Sequence, residues 1–259
     1  MKLLTTMILA AAAFCAIPAS HASQPATRVI AHRGYWKAEG AAQNSIRALQ
    51  NAIRIGAYGS EFDVLVTADG VPVIHHDDRI GERRIEDTPY RELRSHRLSN
   101  GEKLPTLRQY LKTGAGQRDT RLILEMKAHS TPEKERQAAR IILDEVRRSP
   151  AAPSVDYLTF SKVMADEIVR LDPAARVYYL NGDLSPAAVK AAGYAGLDYH
   201  HGIMRQHETW FNEAHALGLE VNVWTVNDEP TMRWLIDHGA DYITTDEPEL
   251  LQSLLNVPE

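Results

Sequence analysis

Eight short runs rich in β-branched and aromatic residues alternate with amphipathic segments along the chain, and this alternation constrains the fold more than any other feature. The runs are RVIAH (28–32), SEFDV (60–64), RLILEMK (121–127), DYLTF (156–160), RVYYL (176–180), GLDYH (196–200), EVNVWTV (220–226) and DYITTD (241–246). Between them lie helical patterns such as SIRALQNAIRIG, PEKERQAARIILDEVRRS and PTMRWLIDHGA; the first and last of these close on Gly56 and Gly239. Strands separated by helical crossovers pair in parallel, so the expected architecture is α/β, a (β/α)8 barrel. An open doubly wound sheet fits less well, because no Gly-rich phosphate loop follows the first strand.

Residues 1–22 read as a secretory leader outside the fold. Lys2 supplies a positive start, Leu3 to Ile17 is an apolar run too short for a stable membrane span, and Ser20-His21-Ala22 is a small-x-small cleavage signal. The expected product is an exported protein, periplasmic or secreted, with one domain over residues 23–259. Bulky Phe14 before Cys15 argues against a lipoprotein site, and no second anchor is visible. Cys15 is the single cysteine of the chain, so the exported domain has no disulfide and rests on its hydrophobic core. A net charge of −5 without a basic stripe argues against nucleic acid as a partner.

In a barrel of this kind the residues at the carboxyl ends of the strands face the active site. Here they include His32, Arg33, Glu61, Asp63, Glu125, Lys127, Phe160, Ser161, His200, His201, Trp224 and Asp246. Each alone reads as a helix cap, a surface charge or packing. Together they are too many ionisable groups to bury on one rim without a ligand.

Glu61 and Asp63 stand two apart on one strand and share a face. With Glu125 they form a set of hard oxygen ligands suited to a divalent cation, Mg²⁺ or Ca²⁺, and repulsion among three buried carboxylates favours a metal between them. No cysteine and no zinc-spaced histidines accompany them. His32 and His76 flanking such a cation suit phosphodiester cleavage, one taking a proton from the nucleophile and the other giving one to the leaving alkoxide. Arg33 and Lys127 are placed to hold phosphate oxygens.

The doublet His75-His76 poses a choice, since neighbours on a strand point to opposite faces. VLVTADGVPVI folds back at Asp69-Gly70, a two-residue turn signal. A loop with an even number of residues sets Asp63 or Glu61 opposite His76 and turns His75 away; a three-residue loop with a bulge exchanges the two. The even case is expected. The segment between His76 and Glu125 leaves room for a small helical insertion after the second strand, not for a second domain.

At these residues the chain resembles the glycerophosphodiester phosphodiesterase family of phospholipase C-like barrels. The matching pieces are AHRG (31–34), QNS (43–45), EFDV (61–64), DGVPVIHHDD (69–78), LPTL (104–107), LEMK (124–127), TFS (159–161), VNVWTVN (221–227) and GADYITTDEP (239–248). The resemblance implies that His32 and His76 are the acid/base pair, that Glu61, Asp63 and Glu125 bind the metal, and that Arg33 and Lys127 hold phosphate. The substrate implied is a small glycerophosphodiester. Asn44, Phe160, His200 and Trp224 complete the substrate-binding candidates, Phe160 and Trp224 as an apolar wall for the glycerol carbons or the leaving alcohol. Where the family commonly has Pro-Glu-Asn this chain has Ala42-Gln43-Asn44, which predicts altered tuning of the site through an amide in place of a charge. Tyr199-His200-His201 matches no family motif, and either Tyr199 or His200 is a candidate for the alcohol pocket or for packing. Two other functions stay open at this point: a relative directed at lysophospholipid or sphingolipid headgroups, and a barrel that binds a phosphate ester without cleaving it.

Overall fold

A computed structural model describes residues 27–256; the leader assigned to residues 1–22 lies outside them. Strand β1 (Arg28–Ala31) leads into helix α1 (Ile46–Arg54), whose first turn is capped by Ser45 accepting from the Ala48 amide. β2 (Gly59–Val66) turns back into the short β3 (Pro72–Ile74). An insertion follows, with a two-stranded ribbon of β4 (Arg79–Ile80) and β5 (Arg83–Arg84) and the single-turn α2 (Tyr90–Leu93). Helix α3 (Leu107–Gly114) opens on a capping box between Thr106 and Gln109. The rest alternates strictly: β6 (Arg121–Met126), α4 (Pro132–Arg147), β7 (Val155–Thr159), α5 (Lys162–Leu171), β8 (Val177–Tyr179), α6 (Pro186–Ala191) and β9 (Gly196–His200). Two helices, α7 (His201–Gln206) and α8 (Thr209–Ala216), precede β10 (Glu220–Trp224), then come α9 (Glu229–Asp237), β11 (Tyr242–Thr245) and α10 (Pro248–Leu255).

All eight expected strands are present and pair in parallel, in the order β1-β2-β6-β7-β8-β9-β10-β11, and β11 returns to β1 with Val29 opposite Ile243. The fold is therefore a closed (β/α)8 barrel. Alternation along each strand sorts its side chains. Val29, Phe62, Val64, Leu124, Tyr157 and Ile243 pack outward under the helices, while Ile30, Ile123, Leu158, Tyr178 and Tyr242 fill the barrel interior. The inner face of β2 carries Glu61 and Asp63 instead of apolar residues, although both are buried. Among the described residues no helix is long and apolar enough to cross a membrane.

The hairpin departs from expectation. Val66 pairs with Pro72, so the loop is residues 67–71, an odd number, and Val64 faces Ile74. The turn is not the compact Asp69-Gly70 type: Thr67 Oγ1 donates to Asp69 Oδ1 at 2.7 Å and accepts from the Val71 amide at 3.0 Å, which stabilises a wider loop. The register carried one step further puts His75 opposite Asp63, and the His75 amide donates to the Asp63 carbonyl at 3.1 Å. Parity thus selects the opposite histidine from the one expected. It does not decide the side chains, however, because β3 ends at Ile74. His75 Nδ1 lies 2.9 Å from the Asp77 carbonyl and its ring meets His96 edge-on at 5.8 Å. His76, beyond the ladder, reaches the cavity at the top of the barrel.

Candidate active site at the carboxyl ends of the strands

A cavity of about 140 Å³ opens at the carboxyl ends of the strands, and His32, Arg33, Glu61, His76, Glu125 and Lys127 line it. Its base is acidic. Glu61, Asp63 and Glu125 are all buried and each presents an oxygen within 4.8 Å of the others, because Asp63 and Glu125 are register partners on adjacent strands. Glu61 Oε1 has no hydrogen-bond partner. A buried acceptor in that state, beside two further carboxylates, fits a hard divalent cation as the group that would satisfy it.

The electrostatics carry the same strain. Burial, then repulsion from Asp63 and Glu125, pushes Glu61 well above the usual carboxylate range. Burial and Asp63 push Glu125 up to about 7. Burial would raise Asp63 as well, yet Lys127, His76 and the Asn44 amide hold it below its ordinary value. Lys127 Nζ lies 2.8 Å from Glu125 Oε1 and 3.3 Å from Asp63 Oδ1. Burial alone would lower that ammonium, but the carboxylates beside it keep it above its ordinary value and charged. The Lys127 cation therefore stands beside the acids and also borders the open cavity, where a phosphate oxygen is within its chemistry.

Two residues adopt the left-handed backbone region that side chains usually avoid: Arg33 at φ 54° and Asn44 at φ 63°. Both conformations serve the acids. The Arg33 amide donates to Glu61 Oε2 at 2.7 Å, and the Asn44 side chain donates to Asp63 Oδ2 at 2.8 Å while accepting from the Asp63 amide at 3.1 Å. Asn44, expected against substrate, thus spends its amide on an acid of the cluster. The turn between them needs Gly34, since a Cβ there would sit 2.7 Å from Ala48 Cβ. Gln43 Oε1 accepts from Arg33 Nη1 at 2.7 Å, so the departure from Pro-Glu-Asn acts on the guanidinium.

The two histidines share one arrangement. His32 Nδ1 lies 2.9 Å from Asp246 Oδ1, and His76 Nδ1 lies 2.7 Å from Asp77 Oδ1. A carboxylate at Nδ1 places the proton there and leaves Nε2 as the nitrogen free for proton exchange. Burial, partly opposed by Asp63, lowers the His76 pKa. Asp246 is held down to about 2: burial opposes this, but His32, Trp36 and Asn227 all donate to it.

The apolar side of the cavity carries Phe160 and Trp224, with ring centroids 5.4 Å apart and edge to face. His200 packs on Trp224 at 5.3 Å and accepts from the Gly202 amide through Nδ1, capping α7. Tyr199 points away from the cavity and donates to the Leu184 carbonyl. Three acids take places that the sequence reading did not assign to them. Asp77 and Asp246 were visible as residues, but not as partners of the histidines. Asp198 lines the cavity floor, is 1 % exposed with Oδ1 unpartnered, and burial raises its pKa well above the carboxylate range. The alternation of GLDYH already places it on the inner face.

Comparison with known proteins places the barrel in a family. Residues 32–250 match the glycerophosphoryl diester phosphodiesterase family. A glycerophosphodiester phosphodiesterase from Parabacteroides distasonis has a crystal structure that superposes with a TM-score of 0.88 at 50 % identity, covering 90 % of this chain and 98 % of that one. An enzyme of the same name from Caldanaerobacter subterraneus is 25 % identical over 247 residues, 88 % of this chain and 98 % of its own. An Oleispira antarctica phosphodiesterase, solved with its product sn-glycerol-3-phosphate, shares the fold at a TM-score of 0.77 and 24 % identity, over 90 % of this chain and 98 % of that one. The chain belongs to the glycerophosphoryl diester phosphodiesterase family, whose members are phosphoric diester hydrolases.

Proposed function

We propose that the protein hydrolyses small glycerophosphodiesters to sn-glycerol 3-phosphate and an alcohol, with a divalent cation, Mg²⁺ or Ca²⁺, on Glu61, Asp63 and Glu125. The observation that carries this reading is the pairing of two histidines, each fixed at Nδ1 by an aspartate, over one cavity floored by three buried carboxylates. When bound, the cation would neutralise the acids and stabilise charge developing on the phosphoryl oxygens.

The chain's own groups account for the rest. Lys127 and Arg33 hold the non-bridging oxygens and orient the phosphorus between the two rings. One histidine, neutral at Nε2, takes a proton from the attacking water as the water oxygen bonds to phosphorus. The other donates its Nε2 proton to the leaving alkoxide as the phosphorus–oxygen ester bond breaks. The ring that acts as base ends protonated and the ring that acts as acid ends neutral; one proton passed to solvent from the first and one taken from solvent by the second restore the starting states. Trp224 and Phe160 offer an apolar surface to the carbons of the substrate.

The test is an assay with glycerophosphocholine, glycerophosphoethanolamine and glycerophosphoinositol, with and without chelator. Release of sn-glycerol 3-phosphate that stops on chelation is the expected result. A stable cyclic phosphate product would move the assignment to a lipid-directed relative, and metal-dependent binding without any product would make the barrel a binding protein. Export belongs to the same proposal: the mature protein should begin at Ser23 and be found outside the cytoplasm, as N-terminal sequencing of cell fractions would reveal.

A further inference from the structure

The loop after β1 carries three consecutive residues, Tyr35, Trp36 and Lys37, and each bonds a different acid of the segment that opens α10. Tyr35 donates from its hydroxyl to Glu249 Oε2 at 2.7 Å, and Lys37 Nζ pairs with Glu247 Oε1. Between them, Trp36 Nε1 donates to Asp246 Oδ1 at 2.9 Å. That oxygen is the same one that holds His32 Nδ1. The other carboxylate oxygen accepts from Asn227 Nδ2 at 2.8 Å, and Asn227 Oδ1 in turn accepts from the Asp246 amide.

We propose that Trp36 is a positioning residue for the hydrolytic reaction: its indole N–H fixes the Asp246 carboxylate, and through it the ring of His32. The inference rests on the function proposed above. Its physical content is geometric. A carboxylate held only by His32 and Asn227 is free to rock about its terminal torsion and to carry the imidazole with it. A third donor on the shared oxygen, from the same loop after β1 that carries His32, removes that freedom and locks carboxylate and imidazole to one segment. The flanking ties of Tyr35 and Lys37 are exposed and add little stability individually, but they set the register that delivers the indole to this oxygen. Trp36 is half-buried and also borders an open groove with Gln43 and Leu98, so a direct substrate contact is the competing role.

The experiment is a double-mutant cycle of Trp36→Phe with Asp246→Asn, measuring kcat and KM on glycerophosphocholine with saturating metal. Loss of one orienting hydrogen bond to a site residue should lower kcat on the order of tenfold with KM nearly unchanged. In the Asp246→Asn background the same change should cost less than about twofold, because the two residues act as one unit. Trp36→His, whose Nε2 occupies the ring position of the indole nitrogen, should recover part of the lost kcat. Should Trp36→Phe fail to fold, a benzothienylalanine at position 36 removes only the N–H and serves in its place. Full multiplicative loss in both backgrounds, a rise in KM at constant kcat, or no effect at all would each overturn the proposal. Absence of turnover in the wild-type protein would instead overturn the function on which it rests.

Discussion

His32 Nδ1 and Asp246 Oδ1 lie 2.9 Å apart although 214 residues separate them in the chain. The contact exists because β1 and β11 are neighbours at the point where the barrel closes, with Ala31 in register with Thr245. The aspartate fixes which ring nitrogen carries the proton, so Asp246→Asn should lower kcat by about ten- to a hundredfold through loss of the correct tautomer and orientation. Substrate affinity should change little, and steady-state kinetics that show the loss in KM would count against this role.

Glu61 illustrates how a site can be unstable by itself. Its Oε1 is buried without a partner, and two carboxylates stand beside it. Glu61→Gln should therefore stabilise the metal-free protein, by on the order of 1 kcal/mol, by removing the cost of burying an ionisable carboxylate beside two others. The same change should abolish the gain in melting temperature that Mg²⁺ or Ca²⁺ gives the wild type, a gain worth roughly 2.7 kcal/mol at a metal concentration one hundred times Kd. Calorimetry with and without chelator reads both effects, and an apo variant less stable than wild type would contradict the first.

The His75-His76 doublet separates what sequence could and could not convey. Strand positions, the inward face of Glu61 and Asp63, and the acid set itself follow from period-two alternation, which a buried strand obeys over its whole length. The hairpin register does not follow, because Thr67 and Asp69 build a wider loop than the Asp69-Gly70 pair suggests. His76 reaches the cavity by leaving the ladder, a tertiary outcome that no strand periodicity encodes. His76→Ala should reduce kcat by at least about a hundredfold, the range of a general acid or base. His75→Ala should leave turnover largely intact and cost about 0.5–1 kcal/mol from the lost edge contact with His96. Equal loss of activity in both variants would remove the distinction between them.

Asn44 couples a strained backbone to the acid cluster. Its φ of 63° suits Asn or Gly, and its amide both donates to Asp63 and receives the Asp63 N–H. Asn44→Gly keeps the conformation and deletes the amide. Metal affinity should fall by about ten- to a hundredfold while the fold survives. Asn44→Ala should lose additional stability, roughly 1 kcal/mol, from forcing a Cβ into the left-handed region. Isothermal titration and thermal unfolding of the two variants would expose an error if Ala and Gly proved equally stable.

His215 offers a pH test away from the cavity. On α8 its Nε2 lies 2.9 Å from Asp241 Oδ2, an oxygen that also accepts from the Val221 amide, so the pair ties α8 to the start of β10. The bond to Asp241 raises the His215 pKa, against a smaller opposing effect of burial. A group whose pKa is higher in the folded state stabilises it fully below the unfolded value of about 6.5, and that contribution fades as pH rises through the folded value. His215→Gln should therefore cost on the order of 1 kcal/mol near pH 5.5, after allowance for partial exposure, and much less near pH 9. Denaturant midpoints for both proteins across that range supply the measurement; a stability difference that grows with pH would show that Asp241 holds a neutral ring.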